Sequence, residues 1–345
     1  MPTWPDRRIL DLLKIEHPII QAPMAGSDSV ALATAVSAAG GLGSLACALL
    51  TPAKIRETVA SCPHPINLNF FCHKPVTPTA AQLERWKNRL RPHYERLGLD
   101  INHVPESPLR APFDADYCAV VEEVHPEIVS FHFGLPDPSL VARLKQRGIT
   151  ILSSATSVQE AKWLEQNGCD AIIAQGSEAG GHRAMFLEES VATQTGLFSL
   201  IPQIVDAVSV PVIAAGGIAD ARGIAAALAL GASAVQLGTA YLLCPESNAT
   251  VQQRKILSEA KETAITNLYS GRPARGVVTR FMQESGPMSD AVVPFPHAAT
   301  LVAPLRAASP DYAQVWAGQS VALAKPIPAY DLTKSLAEEA LSHLR

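Results

Sequence analysis

Short runs of apolar, mostly β-branched residues recur along the chain, at 18–21, 42–45, 66–70, 128–132, 149–153, 171–175, 211–215 and 234–238. In most of these runs the hydrophobic positions are nearly continuous and do not alternate with polar ones, which suits parallel strands covered on both faces. Between the runs the period changes. Val30, Ala33 and Val36 fall on one face of a helix that Gly40-Gly41 ends. Ser157 followed by Glu160 predicts a capping box, with Gly168 closing that helix. Asp220 predicts a cap for a helix over 221–230, stopped by Gly231. Eight strands alternating with helices over about 240 residues predict an α/β fold, a (β/α)8 TIM barrel. A doubly wound open sheet is the competitor, and the strand count favours the barrel.

Two stretches break the rhythm. About 55 residues separate the third and fourth runs, with Pro75, Pro78, Pro92, Pro105, Pro108 and Pro112 among them, too many for a barrel crossover. An insertion at about 72–125 is expected, holding a helix over 80–97 and an irregular lid. The barrel domain then covers 1–246. The tail, 247–345, shows helical patterns at 249–265 and 309–324 and a last helix from Leu332, with proline-rich turns such as Val293-Pro294-Phe295-Pro296 between them. It reads as a small helical lobe packed on the barrel. The chain has no internal repeats.

Composition narrows the function. Of 345 residues 48% are hydrophobic and 17% charged, and 28 basic against 32 acidic residues leave a formal charge of −4. Such a chain has ample material for a core. It carries no basic surplus to neutralise phosphates, so nucleic acid is not an expected partner. The longest apolar tract, 223–230, falls short of the roughly 20 residues of a membrane span, so no membrane partner is expected either. The first residues, Met1-Pro2-Thr3-Trp4-Pro5-Asp6-Arg7-Arg8, contain no apolar h-region. The six cysteines, 47, 62, 72, 118, 169 and 244, are scattered without CxxC pairs or metal-ligand spacing. Reduced thiols, a cytoplasmic location and no metal are expected.

Barrel enzymes carry their chemistry at the C-terminal ends of the strands. Those ends hold Gln21-Ala22-Pro23-Met24-Ala25-Gly26, Asn69, His132, Ser154 and Gln175. Asn69, His132 and Gln175 are polar residues closing apolar runs, an arrangement a packed core does not favour. Ala215-Gly216-Gly217-Ile218 follows the seventh run and Gly238-Thr239 the eighth. Loops in these two places form the common phosphate site of such barrels, where bare backbone N–H groups approach closely. A third glycine turn, Gly176-Ser177-Glu178-Ala179-Gly180-Gly181-His182-Arg183, follows the sixth run.

Four of these stretches together resemble the nitronate monooxygenases, formerly called 2-nitropropane dioxygenases: Gln21-Ala22-Pro23-Met24-Ala25-Gly26, Ser130-Phe131-His132-Phe133-Gly134, the Gly-Ser-Glu-Ala-Gly-Gly-His run and Ala215-Gly216-Gly217-Ile218-Ala219-Asp220. The resemblance extends to Ser270-Gly271-Arg272-Pro273-Ala274-Arg275-Gly276 and Trp316-Ala317-Gly318-Gln319 in the tail. It implies an FMN-dependent barrel in which Ala22, Pro23 and Met24 line the flavin and Asn69 and Gln175 hydrogen-bond it. It also implies that Gly180, Gly217, Gln236, Gly238 and Thr239 cradle the ribityl chain and phosphate. FMN is favoured over NAD, since no strand-linked GxGxxG opens a helix.

The reaction so implied is oxidation of alkyl nitronates, propionate 3-nitronate above all, by O2 to a carbonyl compound and nitrite, without NAD(P)H. The expected partners are therefore the nitronate and O2. The flavin supplies the redox chemistry and the protein the orientation and electrostatics. His132 is the first catalytic candidate, as anion binder or as general base towards a neutral nitroalkane, and His182 the second. Arg183, Arg272 and Arg275 are candidates for a substrate carboxylate or for surface and phosphate-end charge. The alternative is an FMN-dependent NAD(P)H reductase of the enoyl-acyl-carrier or quinone type. Against it stand Gln-Ala-Pro-Met, where such enzymes usually carry Gln-Gly-Gly-Met, and His132, which they generally lack.

Overall fold

The computed structural model describes residues 3–105 and 110–344; residues 106–109, with Pro108 of the expected lid, lie outside the described residues. All eight apolar runs form strands: β1 (Ile19–Gln21), β2 (Gly43–Ala46), β3 (Ile66–Phe71), β4 (Ile128–His132), β5 (Thr150–Ala155), β6 (Ala171–Gln175), β8 (Val212–Ala215) and β9 (Ala234–Leu237). A two-residue strand, β7 (Gly181–His182), lies outside the barrel. The order β1-β9-β8-β6-β5-β4-β3-β2 is parallel throughout, and an Ile20–Leu42 bridge closes the ring.

The first helices are α1 (Arg8–Leu13), α2 (Val30–Ala38), α3 (Pro52–Ala60), α4 (Ala80–Arg96), α5 (Ala115–Val124), α6 (Pro138–Gln146) and α7 (Val158–Gln166). There follow α8 (Leu197–Val205), α9 (Ala221–Ala229), α10 (Val251–Glu259), α11 (Arg280–Ser285), α12 (Ala298–Ala308) and α13 (Ala329–His343). Helix α2 lies directly on β2, because a Cβ on Gly43 would fall 2.1 Å from the Ala33 carbonyl oxygen. Inside the barrel a polar chain crosses the strands. Ser44 N donates to Gln21 Oε1 at 2.8 Å and Asn67 Nδ2 to Ser44 Oγ at 3.0 Å. Asn69 Nδ2 reaches Ser130 Oγ at 2.9 Å, so these donors are paired across strands, while Asn67 Oδ1 is buried without a partner among the described residues.

Asp220 caps α9 as expected, accepting from Gly223 N at 3.1 Å. The expected capping box at α7 is only half there. Ser157 Oγ accepts from Glu160 N, but the Glu160 carboxylate turns away, accepting from Thr156 N and from Phe186 N and Leu187 N. A buried carboxylate facing several unpaired loop amides gains more there than from one exposed N-cap amide.

The insertion carries its helix at α4, with a full capping box between Thr79 and Gln82, and a second helix, α5. The tail is mixed and not simply helical. The 249–265 pattern ends as helix at Glu259 and becomes β10 (Thr263–Thr266), where β-branched Thr263, Ile265 and Thr266 pair with β11 (Ala274–Val277). Strand β11 in turn pairs with β7, forming an antiparallel sheet beside the barrel mouth. Within 309–324 only the 3-10 turns Pro310–Tyr312 and Val321–Leu323 are helical. Trp316 bridges to Gly276 there, so sheet pairing overrides local propensity. Helix α13 begins at Ala329, three residues before Leu332. Its Leu332, Leu336, Ala337 and Ala340 join the core around β1 and β9. Among the described residues no helix is long and apolar enough to cross a membrane.

Candidate active site

The C-terminal ends of the strands, β7 and the 314–320 segment border a cavity of about 470 Å³, within the range of ligand pockets. It is bordered by all twelve residues singled out from the sequence: Ala22, Pro23, Met24, Asn69, His132, Gln175, Gly180, His182, Gly217, Gln236, Gly238 and Thr239. No Asp or Glu among the described residues lines it.

Hydrogen bonds assign the protons on its two histidines. The His182 carbonyl accepts from Gln175 Nε2 at 3.0 Å and from His132 Nε2 at 3.1 Å, so His132 carries its proton on Nε2. The remaining His132 nitrogen, Nδ1, faces Ser154 Oγ at 3.4 Å. His182 Nε2 contacts Ser270 Oγ at 2.9 Å, and Ser270 Oγ itself donates to the Arg272 carbonyl. With the Ser270 proton assigned to the Arg272 carbonyl, Ser270 accepts from His182, which assigns the His182 proton to Nε2 and leaves a lone pair on Nδ1. Burial pushes both rings towards the neutral form, reinforced at His182 by Arg110, His132 and Arg272. His132 is brought down to about 4.

The rings sit in an aromatic box of Phe71, Phe133 and Phe295, with His182–Phe295 centroids 5.3 Å apart and His132–Phe133 4.6 Å apart. Phe133 has φ +72°, unusual for a residue with a side chain. The arrangement costs about 1–3 kcal/mol and is held by aromatic packing and by Arg272, whose guanidinium lies 4.0 Å above the Phe133 ring.

The arginines divide differently from the sequence reading. Arg183 donates to Gly176 O, Gln175 O and Gln194 Oε1, and Arg275 to Ser177 O and Thr263 O, while Arg272 donates to Met185 O. All three brace loops, and none borders the cavity. The cations that do border it are Arg110, from the insertion, and Arg306, from α12. Arg110 Nε is buried with no hydrogen-bond partner among the described residues. Arg306 stands at the rim and is more exposed. The sequence carried no local signal for either, since they lie far apart along the chain and in segments without a motif.

The opposite wall is glycine-rich. Gly216 and Gly217, at φ +119° and +69°, turn the β8 loop in the left-handed region that favours glycine. Among the described residues Gln236 Oε1 is buried there without a partner and Asn69 Oδ1 makes no hydrogen bond. Beneath the Met24 loop, Asp28 Oδ2 accepts from Met24 N at 2.8 Å and Ala46 N at 2.9 Å. Burial outweighs these bonds and raises its pKa from 3.8 to about 7. A raised carboxyl contributes stability that is full below about pH 3.8 and lost as pH rises through about 7. The carboxyl is not sealed from solvent, which tempers the size of the effect. Asp28→Asn keeps an accepting oxygen without the charge. Its Tm should match the wild type at pH 5 and exceed it by about 2–3 °C at pH 8.5; the same difference at both values would refute the assignment.

The family model for nitronate monooxygenase matches residues 6–339.

The chain belongs to the nitronate monooxygenase family.

It is 44% identical over 347 residues to the nitronate monooxygenase of Paraburkholderia phytofirmans, covering 96% of this chain and 94% of that protein. Identity to the enzyme of that name from Pseudomonas aeruginosa is 42% over 350 residues, covering 96% and 98%. Among solved structures, nitroalkane oxidase from Streptomyces ansochromogenes superposes with a TM-score of 0.86 at 36% identity, covering 97% of this chain and 98% of the other. FabK from Thermotoga maritima is more distant, at 0.73 and 28% over 99% and 97%. As a member of this family the chain is an oxidoreductase that acts on nitronates.

Proposed function

We propose that the chain uses FMN and O2 to oxidise nitronates that bear a carboxylate, propionate 3-nitronate foremost, to the carbonyl compound and nitrite without NAD(P)H. The observation that carries this reading is a single cavity with two unlike ends. One is a glycine wall with unpaired acceptors; the other holds a histidine lone pair beside arginines.

The residues present fit a flavin. Gln236 Oε1, orphaned and buried, needs a donor such as a ring or ribityl N–H or O–H. The glycine turns after β8 and β9 offer backbone N–H groups to a phosphate, and the Thr239 hydroxyl keeps its proton, since its oxygen accepts from Gly318 N. Ala22, Pro23 and Met24 would form one wall of the ring site, and Asn69 and Gln175 would contact its polar edge. When bound, FMN supplies the electron-accepting and oxygen-handling chemistry.

The chain's own residues do the rest. Arg110 and Arg306 attract an anionic substrate and hold its carboxylate, and the absence of acidic lining leaves that charge unopposed. Phe71 gives the reacting carbon an apolar wall. His182 Nδ1 takes the α-proton when the neutral nitroalkane enters, and His132, bonded to the His182 carbonyl, holds the β7 strand in place. This reverses the order of the two histidines suggested by the sequence, on the ground that only His182 keeps a free lone pair.

The test is anaerobic mixing of the purified yellow protein with propionate 3-nitronate, NADH or NADPH. Loss of the flavin's visible absorbance with the nitronate alone is expected. Rapid bleaching by NADH would favour the reductase reading instead, and a colourless protein that takes up no FMN would end both.

A further inference from the structure

The Trp316-Ala317-Gly318-Gln319 motif has no part in the chemistry above. In the structure residues 316–320 form a strap fastened to three loops at once. Gln319 N donates to Glu178 O at 3.0 Å in the β6 loop. Ser320 Oγ donates to Gly217 O at 2.5 Å in the β8 loop, and Gly318 N to Thr239 Oγ1 at 2.9 Å after β9. Upstream, Trp316 is held by its bridge to Gly276.

The contact is backbone on backbone. A Cβ on Gly180 would lie 2.6 Å from Ala317 C and Gly318 N, and one on Gly318 would lie 2.8 Å from Glu178 O. Gly180 is thus a glycine because the strap passes over it, whatever it offers a ligand. Trp316, Gly318 and Ser320 border the cavity together with Gly217, Gly238 and Thr239. Among the described residues the only cations on the whole cavity are Arg110 and Arg306. Neither belongs to these loops, so a phosphate here is held by neutral donors and each hydroxyl counts.

We propose that the 316–320 strap closes the phosphate end of the cofactor site and that, when FMN binds, the Ser320 hydroxyl turns from the Gly217 carbonyl to donate to the phosphate. This rests on the reading of the cavity as an FMN site. It makes a far-downstream segment part of cofactor selection: the strap discriminates the phosphorylated flavin from the unphosphorylated one.

The experiment is titration of the deflavinated full-length protein with FMN and with riboflavin, followed by quenching of flavin fluorescence. Ser320→Ala should weaken FMN binding by about tenfold or more, the loss of one charge-assisted hydrogen bond. Riboflavin binding should stay within about twofold of the wild type, because no phosphate is involved. Ser320→Thr, which keeps the hydroxyl, should restore FMN affinity. Equal losses for both flavins, an unchanged FMN affinity or failure of the threonine rescue would overturn the role of Ser320 while leaving the FMN reading intact. A wild-type protein that binds neither flavin would overturn both.

Discussion

Replacement of His182 by alanine should lower turnover of a neutral nitroalkane by about 10³-fold, within the range for a lost general base, with the flavin still bound. The expectation follows from where the protons sit. His182 Nε2 is committed to Ser270, whose own hydroxyl is committed to the Arg272 carbonyl, so Nδ1 is a lone pair with nothing else to do. Burial among Arg110, His132 and Arg272 keeps the ring neutral and therefore basic in form. A preformed nitronate has already lost its α-proton, so His182→Ala should cost that substrate only about tenfold, through positioning. The ratio of the two losses is the measurement. Comparable losses on both substrates would show that His182 binds or supports but does not abstract a proton. His132→Ala should show no such split, since both its nitrogens face protein groups.

Arg110→Met should raise KM for propionate 3-nitronate by about 30-fold or more, the cost of removing one partner of a desolvated charge pair. Ethyl nitronate, with no carboxylate, should keep its KM within about threefold, because its single charge is met by the remaining donors. Arg110 is chosen because its Nε is buried and unbonded among the described residues, so an anion there meets a cation not already neutralised. Arg306→Met should move KM the same way but less, since the rim is wetter and screening stronger. Steady-state kinetics on the two nitronates decide the matter. A parallel rise for both would assign the arginine to general attraction of anions, with no carboxylate site.

The strands were legible in the sequence because a buried parallel strand mostly writes itself as a short apolar run, and all eight runs became barrel strands. The residues closing those runs were legible for a related reason. A polar Asn69, His132 or Gln175 at the end of an apolar run has to face the barrel mouth once the barrel is granted, and each borders the cavity. Glu160 was misread because its spacing from Ser157 suits a capping box, whereas its partners include Phe186 and Leu187, in a loop brought over by the fold. The tail was misread at 249–265 and 309–324 because helical periodicity is a local signal, and the competing partner, β11, lies elsewhere in the chain.

Alone, the sequence determined the barrel, the glycine turns and the family, since periodicity, turn chemistry and motifs are properties of neighbouring residues. Only the tertiary structure decided which histidine keeps a free lone pair, which arginines face the cavity and which segment closes the glycine wall. Each depends on groups far apart in the chain: Ser270 on His182, Arg110 beside Arg306, Ser320 on Gly217. Chain connectivity imposes no distance on such pairs. Packing of the insertion and the tail over the barrel mouth does.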